Sequence, residues 1–293
     1  MTIKAVNITL SFGISILMFS LFISSCKSKE ANYITYYNKV NKIDSIYRIS
    51  NKPLKAIKEY RKLFKNYDPK NQERIEEYST YIILSDQYQK KFGGQKSLYT
   101  LLPLIAPYNK AYKDYLKLYQ KYGIDSLMVK KGIAEWKKKL NKQLIDSFTI
   151  AMIRDQEGRT QPIDTVAVKK NIEKNAKLLL WTFKNYGFPS LQKIGLYGNN
   201  NTFLPMHTFL THMNESENRL LIQDKLLEYV KTGECPPVSY AMMVDNYNYI
   251  YKKNTVYGFS FSNSKDTVQI DHNRKSIGLP GLKHYKKIRN DFF

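Results

Sequence analysis

Cysteine is nearly absent, with two residues in 293. That excludes a disulfide-stapled scaffold and any four-cysteine zinc or iron–sulfur site. Acidic residues are also few, 25 Asp plus Glu against 47 Lys plus Arg, for a formal charge of +22. Histidine occurs four times, and no two histidines have the i, i+4 spacing of a zincin helix. There is no G-x-S-x-G, no P-loop and no G-x-G-x-x-G. The usual sequence marks of a nucleophile elbow, a phosphate cradle and a dinucleotide fold are therefore missing. Low-complexity tracts are missing too. What is present is 43% apolar residues and 14% aromatics, including 24 tyrosines. A chain of this length and composition can build one large or two ordinary packed domains.

The N-terminus sets an expectation of location. Lys4 is followed by residues 5–25 with no charge at all, and the run from Ile14 to Ile23 is strongly apolar. This is the layout of an export signal, with its dense apolar part shorter than the roughly 20 residues of a transmembrane helix. It ends in Ile23-Ser24-Ser25-Cys26, followed at once by Lys27-Ser28-Lys29-Glu30. That ending resembles the lipobox of bacterial lipoproteins, which implies cleavage before Cys26 and acylation of its sulfur. Several acyl chains give the stable anchoring that one chain does not. The expectation is a signal peptide over 1–25, lipid attachment at Cys26 and export to the bacterial envelope, on the outer membrane. Cys235, in Glu234-Cys235-Pro236-Pro237, is then the remaining thiol. It reads as a loop cysteine, with a catalytic nucleophile as the less favoured alternative.

The positive charge is uneven. From Lys27 to Ile145 there are 26 basic and 11 acidic residues; from Asp146 to Phe293 there are 20 and 14. Nucleic acid is not expected as a partner of an exported chain with no nucleic-acid motif. Membrane lipid through Cys26, another envelope protein, or an anionic glycan or lipid head group is expected instead. The bland reading is a solvated lysine-rich surface on amphipathic helices.

Residues 26–145 read as consecutive amphipathic helices. Ala56, Tyr60, Leu63 and Phe64 share a face, as do Leu98, Leu101, Leu102 and Ile105, then Tyr112, Tyr115, Leu116 and Tyr119. Ile133, Trp136, Leu140 and Leu144 mark a last helix, and Asp68-Pro69, Gly93-Gly94, Pro107 and Gly123 mark breaks. Helical hairpins or an irregular bundle fit equally, and the region resembles tetratricopeptide hairpins without a clean 34-residue period. The aromatic stripes read as core. Residues 146–293 form a second region. A long helix with Ile172, Ala176, Leu179, Leu180 and Phe183 inward stops at Gly187-Phe188-Pro189. Two helices follow around Phe203–Met213 and Ser216–Lys231, and another begins after Pro237. The runs 255–261 and 267–270 around Asn263-Ser264-Lys265-Asp266 read as a β-hairpin at about 255–270. The expected class is mainly α with that one hairpin near the C-terminus.

From about Ile145 to Tyr285 a series of motifs appears in order. They are Asp155-Gln156-x-x-Arg159, Asn175, Gly187-Phe188-Pro189, Gly195 leading to Met206-His207, Asp245, Tyr257-Gly258, and Arg274-x-x-Ile277-Gly278-Leu279-Pro280-x-Leu282. This half resembles the bacterial family known as domain of unknown function 6624. The resemblance implies a compact, largely helical domain with no established reaction. Five positions depart from the family pattern. Phe188 replaces a Trp, Met206 a Gln, Asn246 an Arg, and Phe259-Ser260 a Thr-Gln. Asp155, Arg159, His207, Asp245, Tyr257 and Arg274 are retained.

Those residues allow two readings. The favoured one is a non-catalytic binding or scaffold module, with Asp155–Arg159 an i, i+4 ion pair, and Asp155, Arg159, Tyr257 and Arg274 as candidate binding residues. The alternative is a small hydrolase-like enzyme in which His207 acts as base, Asp245 orients it and an Arg clamps an anion. No cofactor and no metal are expected.

Overall fold

The computed structural model describes residues 32–108, 111–259 and 266–292. The expected signal peptide and Cys26 lie outside them. Among the described residues the chain is helical, in the order α1 (Tyr33–Arg48), α2 (Pro53–Leu63), α3 (Glu77–Gln87), α4 (Gln95–Ile105), α5 (Ala111–Asp114), α6 (Leu116–Lys121), α7 (Ser126–Lys138), α8 (Lys142–Gln156), α9 (Thr165–Tyr186), α10 (Leu191–Ile194), α11 (Met206–His212), α12 (Arg219–Thr232), α13 (Pro237–Ile250), α14 (Thr267–Ser276) and α15 (Leu282–Phe292). No described helix is long and apolar enough to cross a membrane.

Local sequence explains the boundaries. Asn32, Asp125, Asn141, Asp164 and Asp266 each accept a hydrogen bond from a first-turn N–H of the helix they precede. Such caps satisfy donors that have no intrahelical partner, at about 1 kcal/mol each. Pro53 and Pro237 stand at the start of α2 and α13, where a missing N–H costs nothing. The expected apolar stripes face inward: Ala56, Tyr60 and Leu63 on α2, Leu98, Leu101, Leu102 and Ile105 on α4, and Ile172, Ala176, Leu179 and Phe183 on α9. The tyrosine stripes of the first half are mostly core, with Tyr36, Tyr60 and Tyr119 fully buried.

The described parts of the expected hairpin, residues 255–259 and 266–270, do not pair as strands. The described residues contain no strand, and the one bridge is the isolated antiparallel pair Tyr197 and Phe203. The expected turn falls largely outside the described residues. The reason for the difference lies on either side of it. Asp266 accepts from Gln269 N at 2.8 Å, and this cap turns Thr267-Val268-Gln269-Ile270 into the first turn of α14, with Ile270 inward and Val268 in solvent. Val256, Tyr257 and Phe259 give their N–H groups to the Asp245 carboxylate rather than to a partner strand.

The helices pack in sequence, α1 on α2, α2 on α3, α3 on α4 and α4 on α7, then α8 on α9 and α11 on α13. Residues 145 and 146 lie inside α8. α1 also packs on α12 and α15. Its polar side chains join the C-terminal turns. Asn38 Nδ2 donates to Lys275 O and Asn41 Nδ2 to Gly278 O, both at 2.9 Å. Asp44 is fully buried and holds Arg48 and His284 Nε2, the latter at 2.7 Å. Two glycines let the backbone reach α1. Gly233 has φ +75° and lies against the Tyr33 ring; Gly278 has φ +88° and lies against Tyr37 Cβ. A side chain at either position would meet those atoms at 2.4–2.6 Å.

One carboxylate in this core has a pH signature. Glu77 is fully buried, with Oε1 accepting from Tyr36 Oη and Oε2 from Gln72 N, both at 2.7 Å. Desolvation raises its pKa above the ordinary carboxylate value, and these hydrogen bonds only partly oppose the rise. A raised folded-state pKa gives stability that is full below the unfolded value and is lost as pH rises through the folded one. The urea midpoint should therefore fall as pH rises from about 4.5. Glu77→Gln should flatten that slope. An identical slope in the variant would assign the effect elsewhere.

Candidate functional site

α8 carries its inward stripe through Leu144, Phe148, Ala151 and Met152, and the next member of that stripe is Asp155. The spacing therefore drives a carboxylate into the core, where it is 4% exposed. Asp155 Oδ2 meets His212 Nδ1 at 2.6 Å, and Gln156 Nε2 donates to the same oxygen at 3.0 Å. Arg159 Nε donates to the Asp155 backbone carbonyl at 2.7 Å, and its Nη2 stands 3.5 Å from Asp155 Oδ1. Gly158, at φ +77°, makes the turn that brings Arg159 back.

α9 supports this end of α8 from behind. Arg154 Nε and Nη2 donate to Asn175 Oδ1 at 2.8 and 2.6 Å, and Asn175 Nδ2 donates to Ala151 O at 3.2 Å. Asn171 Nδ2 donates to Arg154 O and Glu157 Oε2. Burial lowers the Arg154 pKa, partly offset by Glu157. The Asn175 of the sequence motif is thus a strut between two helices.

The chemistry of this arrangement is that of an oriented imidazole. A buried carboxylate holds Nδ1 and leaves Nε2 as the nitrogen for proton transfer. The His212 side chain is 25% exposed and that of Arg159 27%, so both reach solvent beside a sealed carboxylate.

A second cluster forms around α13. Asp245 is 1% exposed. It accepts from Thr255 Oγ1 at 2.6 Å, Val256 N at 2.7 Å, Tyr257 N at 3.0 and 3.1 Å and Phe259 N at 2.7 Å. Arg274 is fully buried below the same loop. Its Nε donates to Pro280 O at 2.5 Å and its Nη1 to Tyr257 O at 2.6 Å. Its guanidinium lies 5.1 Å from the Phe259 ring centroid and 4.8 Å from that of Tyr285. Desolvation lowers its pKa to about 10, with Tyr285 and Asp271 opposing. The Tyr257 hydroxyl is pushed up by burial and by Tyr240. Charge-assisted bonds of this kind tie a loop into place.

The expected site residues therefore fall into three places. Asp155 and Arg159 come together, Asp245, Tyr257 and Arg274 come together, and His207 joins neither set. His207 is exposed in the first turn of α11, and no histidine is among the partners of the Asp245 carboxylate. The histidine that does meet a carboxylate is His212. Its signal was in the sequence: it stands three residues after the buried Phe209 and next to the buried Met213, whereas His207 falls on the opposite face. Cys235 is fully buried and desolvation raises its thiol pKa strongly, so it is not a thiolate nucleophile at neutral pH. Among the described residues no three His, Cys, Asp or Glu side chains stand together as a metal site. No family model, no curated protein and no solved structure matches the chain.

Proposed function

We propose that the chain is a lipid-anchored bacterial envelope protein, held by an acylated Cys26, whose helical body is a non-catalytic binding or scaffold module. The anchor reading rests on the uncharged stretch 5–25 and its Ile23-Ser24-Ser25-Cys26 ending. The binding reading rests on one observation above the rest. Asp245, the acid that the enzyme reading needs beside His207, is filled by loop donors instead. The motifs in which this half resembles the domain of unknown function 6624 family serve structural ends here. Asn175 braces two helices, Arg274 ties down the 257–259 loop and Gly278 admits α1. Mass spectrometry of the mature N-terminus should find Cys26 carrying a thioether-linked lipid, and co-purification from solubilised envelope should return a stoichiometric partner. An uncleaved leader would remove the anchor, and a chain that returns alone would remove the binding role.

The Asp155–His212 pair favours one other reading. In it His212 is a general base and Arg159 holds an anionic substrate beside it. Turnover of small anionic esters should then fall on the order of 10²–10⁴-fold in His212→Ala and stay unchanged in His207→Ala. Equal loss in both variants, or none in either, would end this reading.

A further inference from the structure

The start of α12 and the end of α13 meet at a group of side chains that neither cluster uses. Arg219 places its guanidinium carbon 3.8 Å from the centroid of the Tyr247 ring, and Lys253 Nζ lies 4.9 Å from the same centroid. Tyr251 packs on Tyr247 with centroids 4.6 Å apart. Two cations thus share one ring, and neither makes a salt bridge among the described residues; Arg219 donates only to the neutral Gln223. Tyr247, Ile250 and Tyr251 follow the i, i+3, i+4 spacing of one helix face. Ile250 is 45% exposed, Tyr251 52% and Leu220, next to Arg219, 61%.

We infer that this patch docks on the surface of an anionic phospholipid bilayer. Tyrosine at the polar–apolar boundary, aliphatic side chains facing outward and uncompensated basic groups are the composition of an interfacial contact. Leu220 and Ile250 favour lipid over an acidic glycan, because branched aliphatic side chains have nothing to gain from a charged sugar face. The inference deepens the anchor reading and agrees with its geometry. Six Cα steps separate Cys26 from Asn32, a reach of at most about 21 Å. Tyr33, the first residue of α1, lies against Gly233 at the C-terminal end of α12. Arg219 stands at the other end of that 14-residue helix, about 21 Å away. A body leashed at α1 can therefore lay α12 along the membrane.

The test uses the full chain with Tyr251→Trp, whose emission is corrected with the unsubstituted chain. Vesicles of mixed phosphatidylglycerol and phosphatidylcholine, with bromines on their acyl chains, should quench Trp at 251. Vesicles of phosphatidylcholine alone should do so far less. Arg219→Gln with Lys253→Gln should lower the vesicle affinity about thirty-fold while leaving the thermal melt unchanged. Quenching supports the docking surface whether or not the N-terminus carries lipid. A chain that floats with vesicles through its acyl group but shows no quenching at 251 overturns the docking surface and spares the anchor. A chain that binds a soluble sulfated polysaccharide through Arg219 and Lys253 and ignores the vesicles also overturns it.

Discussion

Asp245→Ala is expected to bring the protein close to global unfolding. The carboxylate accepts from one hydroxyl and three backbone N–H groups, all between 2.6 and 3.1 Å. Hydrogen bonds to an ionised group contribute about 1.5–3 kcal/mol each, and buried donors left without an acceptor cost about 1–3 kcal/mol apiece. Even with strong non-additivity the loss should exceed roughly 4 kcal/mol, a large share of the 5–15 kcal/mol of a typical domain. The 255–259 loop would lose its hold and take Arg274 with it, since Arg274 Nη1 bonds to Tyr257 O. Urea unfolding followed by circular dichroism at 222 nm reads the loss directly. A midpoint within error of the parent would show that the loop is held by something else. Where the midpoint falls as expected, any activity lost in this variant reflects folding, which is why Asp245 is a poor probe of catalysis.

Gly278→Ala should be the second most damaging substitution, for a different reason. At φ +88° an L side chain is strained, and the added Cβ would sit 2.6 Å from Tyr37 Cβ, an atom fixed to the α1 backbone. Neither partner can swing aside, so α1 or the 277–280 turn must shift, and with it the Asn41–Gly278 hydrogen bond. Strain and overpacking together should cost about 3 kcal/mol, on the order of 10 °C in Tm for a domain of this size. Gly123→Ala is the control. Its φ is +76°, but the nearest atom is the end of the Gln95 side chain at 3.3 Å. Equal losses in the two variants would mean that φ strain alone matters and that the contact with Tyr37 does not.

Helices with a full apolar stripe were legible before any coordinates. Leu98, Leu101, Leu102 and Ile105 need no tertiary knowledge to be placed on one face. The segment 267–270 was not, because four residues are too few to separate a period of 2 from one of 3.6. The deciding signal there was Asp266, a helix cap, against the β-propensity of Thr267, Val268 and Ile270. The site residues posed a different difficulty. A motif names a charged residue without saying whether it faces a cavity or a backbone knot, and Arg274 and Asp245 serve the knot. Asp155 was legible as the partner of Arg159, but its burial follows only from continuing the α8 stripe past Met152. His212 could be set on the inward face of α11 from Phe209 and Met213, but its partner, 57 residues away, could not be read from that spacing.

The clasp between α1 and the 275–284 segment bears on how the chain acquires its shape. Asn41 finds Gly278, and Asp44 finds His284, across 237 and 240 residues. Until the 275–284 segment has been made, α1 lacks the surface that completes it, and Tyr37 lacks the cover of Gly278. Folding should accordingly be slow to conclude, with closure of this clasp as a late event. A variant cut after residue 273 would lose Gly278 and His284, leaving one side of α1 uncovered and open to proteases, although every residue of the Asp155–His212 pair is still there.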